Sequence, residues 1–146
     1  MRFTHKSALL FATLLLPAAA LAQSAPLDDG QPMMVNGIET VCTGTTTDVR
    51  ADPKWREYSL RLEFAGKDGQ YLGDETVNIS GNGREVSVHC GGPWALMKLP
   101  SGTYKVSTDV TEAGHKDLTV HVPAHIVLRF PNAGGEVVPS ARVAAR

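Results

Sequence analysis

The chain has 146 residues, with 14 basic and 15 acidic side chains. That near-balance leaves no basic footprint for nucleic acid or an anionic membrane surface. Its length suits a single domain once a leader is set aside.

Arg2 and Lys6 form a short positive start, and residues 8–16 are apolar but too few to span about 30 Å of hydrocarbon, which needs ~20 residues. Pro17 breaks the run, and Ala20-Leu21-Ala22 has the small-x-small form of a cleavage site. Residues 1–22 therefore read as a signal peptide cleaved near Ala22, which places the mature chain in the periplasm. No cysteine follows the site, which argues against a lipid anchor. Cleavage leaves about 124 residues and 12 basic side chains against 15 acidic, a net charge of about −3. No later segment is long and apolar enough to span a membrane.

Residues 23–34, rich in Ala, Pro, Asp and Gly, read as a flexible leader, with Met33-Met34-Val35 as the first ordered contact. A sandwich domain is expected over 35–130 and a loose tail over 131–146. Residues 38–42 alternate as a strand with Ile38, Thr40 and Cys42 on one face. Residues 43–48 carry turn chemistry. Asp52-Pro53 reads as an N-cap and first position of one helical turn, held by packing of Trp55. Residues 58–64 are the clearest strand. Gly81-Asn82-Gly83 is the strongest hairpin signal, joining strands at 76–80 and 84–90. Val86, Val88 and Cys90 share the inward face of the second. Two cysteines in an exported chain, Cys42 and Cys90, permit one intramolecular disulfide, and Cys90 lies on the face that a bridge through the core requires.

Leu99-Pro100-Ser101-Gly102-Thr103-Tyr104 reads as strand end, turn and strand start, with Pro100 and Gly102 at turn positions that favour them. Tyr104 is expected to fold back and bond a main-chain carbonyl near Leu99 or Pro100, the tyrosine-corner device of Greek-key sandwiches. Strands at 103–110, 118–122 and 126–130 complete the pattern. The whole predicts an all-β fold, an antiparallel Greek-key sandwich of about seven strands with turns every eight to twelve residues.

The stretch Leu99-Pro100-Ser101-Gly102-Thr103-Tyr104-Lys105-Val106, followed about fourteen residues later by Leu118-Thr119-Val120-His121-Val122, resembles the signature of carboxypeptidase regulatory-like domains. The resemblance implies a transthyretin- or prealbumin-like (Ig-like) sandwich of the kind carried as accessory modules by secreted and periplasmic proteins. The whole mature chain also resembles a group of small bacterial periplasmic proteins bearing that label. No H-x-x-E element occurs, so peptidase activity is not implied. The chain ends in Val143-Ala144-Ala145-Arg146 and lacks the Tyr-Arg-Gly-Ser terminus of the transthyretin-like hydrolases. Fold likeness by itself says little about function.

Other constellations read as structural. His89 and His121 point outward by strand parity, and His115 and His125 lie at turns. Met33 and Met34 suit edge packing better than soft-metal ligation. Asp28-Asp29 and Asp74-Glu75 are paired carboxylates in turn or leader sequence, with no neighbour expected to perturb them. Asp48 and Asp52 read as turn and cap residues rather than Ca²⁺ ligands with Asp74. Asn78-Ile79-Ser80 matches a glycosylation acceptor but falls in a strand. Trp55, Trp94 and Tyr71 could form an aromatic platform, although buried tryptophans are commoner. No catalytic residue, metal ligand or cofactor is assigned. The expected role is a non-enzymatic periplasmic binding or interaction module whose partner is another periplasmic or envelope protein. The alternative is a small-ligand or metal-binding protein using the surface histidines.

Overall fold

Apolar alternation closes into two facing sheets in the computed structural model, which describes residues 30–131. The signal-peptide and tail assignments lie outside the described residues. Nine strands form: β1 (Met33–Val35), β2 (Ile38–Thr43), β3 (Leu60–Gly66), β4 (Glu75–Gly81), β5 (Arg84–Cys90), β6 (Trp94–Met97), β7 (Gly102–Val110), β8 (Gly114–Val122) and β9 (Ala124–Phe130). The first sheet runs β1-β2-β6-β3-β9 and the second β5-β4-β7-β8. All pairs are antiparallel except β3–β9, which is parallel.

The fold is thus the all-β sandwich read from the sequence, with two strands beyond the expected seven. One is β1, at the expected first ordered contact, which straddles the end of the leader and the start of the domain. It exists because Asn36 and Gly37 both take positive φ (48° and 79°), the backbone of a two-residue hairpin turn. The other is β6, which lies between β2 and β3 and is buried on both faces, so Trp94 to Met97 show no alternation.

Between the sheets, Leu60, Leu62, Phe64, Met97, Leu128 and Phe130 meet Val77, Ile79, Val86, Tyr104, Val106 and Val120. Burying each such side chain contributes about 1.5–3 kcal/mol. Cys42 of β2 and Cys90 of β5 form a disulfide with Cα atoms 5.3 Å apart, and both residues are fully buried. The bridge ties one sheet to the other through this core.

A smaller cluster of Val41, Trp55, Trp94 and Leu96 sits on the outer face of the first sheet. It is sealed by helix α1 (Thr47–Ala51) and a 3₁₀ turn at Pro53–Glu57. Asp52 caps the 3₁₀ turn as expected, its Oδ1 accepting from Lys54 N at 3.0 Å. Residues 43–48, expected as turn, instead finish β2 and start α1, because the Thr46 hydroxyl accepts from Val49 N at 3.2 Å and caps a helix. Trp55 Nε1 donates to Val49 O at 2.6 Å and pins the two turns together.

The corner forms as the sequence predicts. Tyr104 is buried, and its hydroxyl donates to Pro100 O at 2.8 Å. The β4–β5 turn adds a second clamp, since Asn82 Nδ2 donates to Ser101 O at 3.2 Å. A Cβ at Gly102 would push that Asn82 amide aside and break the clamp, and the φ of 154° there also favours glycine. Tyr104→Phe keeps the ring and removes the hydroxyl, leaving Pro100 O without its donor. We expect a loss of about 1 kcal/mol, read as a lower urea midpoint at unchanged slope.

Candidate functional site

A sandwich offers a partner its edges and its outer faces. The outer face of the first sheet is covered over β2 and β6 by α1 and the 3₁₀ turn, and its edges are the informative places. Four strands terminate the two sheets: β1, β9, β5 and β8.

Three of these edges are blunted. Strand β1 is three residues long, and short edges template little. On β5, the β1–β2 hairpin reaches over the strand, with Asn36 Nδ2 donating to Glu85 O at 2.9 Å. On β8, Lys116 occupies an inward-parity position opposite buried Thr108, its ammonium 5.6 Å from the centre of the Phe130 ring. An inward-pointing charge at an edge disfavours strand pairing, because an added strand would trap it away from water.

Strand β9 carries no inward charge of its own, although the Lys116 ammonium reaches its last residue, Phe130, and Arg129 is an outward cation. Its inward positions are Ala124, Ile126, Leu128 and Phe130, and its outward positions are His125, Val127 and Arg129. Val127 is 44% exposed, one of four large apolar side chains so exposed among the described residues. Seven residues of β9 pair with β3 on one side, Leu60 opposite Ala124 through Gly66 opposite Phe130. Among the described residues no strand pairs with the other side.

The β3–β9 register also builds a polar anchor beside this edge. Arg61 lies opposite His125, and Glu63 opposite Val127. The Arg61 guanidinium can only donate, so its 2.7 Å contact with His125 Nδ1 makes that nitrogen the acceptor. His125 Nε2 then carries the hydrogen and donates to Glu63 Oε1 at 2.7 Å. Arg61 Nε lies 3.2 Å from the same carboxylate oxygen, and the guanidinium stacks 4.5 Å from the centre of the Trp94 ring. The cluster fixes His125 on the outer face beside the β9 edge. It holds no hydroxyl or thiol for nucleophilic chemistry.

The sequence-assigned histidines fall in different places. His89 and His121 do point outward, but β5 and β8 are the opposite edges of the second sheet, so the two do not converge. His115 and His125, expected at turns, are strand residues of β8 and β9. The reason is that β8 and β9 extend through Gly114 and Ala124, farther than the apolar alternation reveals. His115 bridges Asp109 (Nδ1, 2.9 Å) and Asp117 (Nε2, 2.9 Å), and those two carboxylates, Asp117 foremost, raise its pKa. His121 Nδ1 pairs with Thr103 Oγ1 at 2.9 Å. Each imidazole meets its own carboxylate or hydroxyl, and no group of three or more metal-ligating side chains gathers among the described residues.

The aromatic platform does not assemble. Trp55, within the 3₁₀ turn, and Trp94 are both buried, while Tyr71 is exposed and stacks with Arg50 at 4.4 Å. The pair Asp74-Glu75 departs from expectation. Asp74, with φ 61°, accepts from Thr111 and pairs with His89 Nε2 at 2.5 Å, and these bonds lower its pKa. Glu75 begins β4, faces inward and is fully buried, with no hydrogen-bond partner in another residue for either carboxyl oxygen. Burial pushes its carboxyl up to about 9, and the Asp74 charge adds to the rise. Both carboxylates are therefore perturbed, contrary to the reading of the sequence. The signal was available: Glu75 shares strand parity with Val77 and Ile79.

No helix among the described residues is long and apolar enough to cross a membrane. Comparison with protein-family models and with curated proteins gave no match to this chain.

Proposed function

We propose that this chain is an exported, non-enzymatic interaction module of the carboxypeptidase regulatory-like type, and that the β9 edge takes an extended segment of a second envelope protein by strand addition. The observation that carries this reading is the contrast among the four edges. Three are short, overhung or guarded by an inward lysine, while β9 offers seven residues with an apolar inward face. An incoming strand would gain main-chain hydrogen bonds for affinity and contacts to Val127 and its neighbours for specificity. The disulfide and the signal-peptide pattern support an oxidising, exported setting.

The test is capture from an envelope extract by the purified protein and by two β9 variants. Ile126→Lys gives β9 the inward charge that β8 already has, and Val127→Lys changes only an exposed position. We expect a protein enriched by the wild type to be lost from both variants, with Val127→Lys keeping the wild-type thermal midpoint. Retention of the same protein by both variants would overturn strand addition at β9.

A further inference from the structure

The outward side chains of the second sheet are polar, and between them lies a groove of about 660 Å³ whose walls also include Ile79, Val86, Val106 and Leu118. Strand register arranges its side chains in rows. Glu85, Ser80, Lys105 and Thr119 lie side by side across β5, β4, β7 and β8, with Ser87, Asn78, Ser107 and Asp117 in the next row. Most polar groups there are neutral or already satisfied: Ser87 donates to Asn78 Oδ1 at 2.7 Å, and Asp117 pairs with His115. Arg84 lines a neighbouring depression of about 520 Å³ instead of the groove. Two charges remain, Glu85 and Lys105, flanking Ser80. Neither has an ion-pair partner among the described residues.

We propose that this groove binds a short free peptide of about three residues, its ammonium on Glu85 and its carboxylate on Lys105. Glu85 and Lys105 stand on strands two spacings apart, about 10 Å at the backbone. An extended tripeptide places its termini about that far apart, at ~3.4 Å per residue. A single amino acid, with its two charges close together, spans much less of that backbone distance. A lone anion would meet Glu85 as well as Lys105. A neutral sugar would cover both charges without pairing either, which costs free energy rather than gaining it. Between the termini, the peptide amides would lie over Ser80 and Asn78, with Asn36 of the β1–β2 turn at the groove wall. These groups both donate and accept, as an amide chain requires.

The test is titration of ¹⁵N-labelled protein with trialanine at neutral pH, following amide shifts. We expect saturable shifts confined to the outward residues of β4, β5 and β7. Glu85→Gln and Lys105→Met should each weaken binding roughly tenfold or more, the scale of a charge-assisted hydrogen bond. N-acetyl-trialanine and trialanine amide should lose affinity alike, and alanine and maltotriose should give no saturable shift. The exchange variant Glu85→Lys with Lys105→Glu should recover binding with the peptide reversed, a result that simple loss of structure cannot produce. The proposal is overturned by absence of saturation up to about 10 mM, well above a weak millimolar affinity. Equal binding of the blocked peptides, or of maltotriose, would overturn it too.

Discussion

Replacing Cys42 and Cys90 together by alanine should cost about 4 kcal/mol of stability in the chain-entropy model for a loop of this length. The bridge closes 48 residues, from β2 to β5, and so constrains the unfolded chain across the whole of β3 and β4. It also adds a side-chain covalent link between the two sheets to the backbone connections that already pass between them. Both cysteines are fully buried, so the alanines leave some empty volume that adds to the loss. The measurement is urea unfolding of oxidised wild type and the double variant, compared at the midpoint and in slope. A loss that large is a substantial share of the ~5–15 kcal/mol typical of a domain. A fall of less than about 1 kcal/mol would mean that the unfolded chain is already compact around these positions, so that the bridge restrains little.

The disulfide was legible because it needs only strand parity and compartment, both local properties of the sequence. The corner was legible for the same reason, since Pro100, Gly102 and Tyr104 lie within one turn of chain. Asn82 was not: it reaches Ser101 across 19 residues, and no local pattern encodes that approach. Strand β6 showed only as a strand end at Leu99, because a strand buried on both faces loses its alternation, and β1 showed only as a first contact, because three residues are too few to alternate. The helical cap at Thr46 looked like turn sequence, since the residues that cap a helix also favour turns. The candidate interface was the least readable part. Which strands become edges depends on pairings such as Arg61 with His125, 64 residues apart. The alternation of β9 predicts a strand but not which side of it stays unpaired. Lys116 carried a clue, a cation at an inward position, whose meaning emerges only once β8 is known to terminate its sheet.

Glu75→Gln should remove most of the pH dependence of stability between about pH 5 and 9. In the folded protein the buried carboxyl holds its proton up to about 9, while the unfolded chain releases it near 4.5. Between those values the folded state binds more protons than the unfolded state, so stability is full below about 4.5 and declines as pH rises. By pH 7 the decline amounts to about 3 kcal/mol, and it continues until the folded carboxyl itself ionises. Glutamine cannot titrate, so the stability of that variant should be nearly flat over the same range apart from the His115 contribution. His115, whose pKa is also raised, contributes in the same direction. The difference between wild type and Glu75→Gln at each pH therefore isolates the carboxyl. Glu75→Met goes further by removing the polar group from an apolar site, and it should exceed the wild-type thermal midpoint at pH 8. Glu75 stands opposite Cys90 and Val110 in register, so its effect and that of the disulfide should couple rather than add. Parallel curves for wild type and Glu75→Gln from pH 5 to 9 would show that the folded carboxyl ionises as readily as in the open chain, and that β4 begins with its first side chain in water.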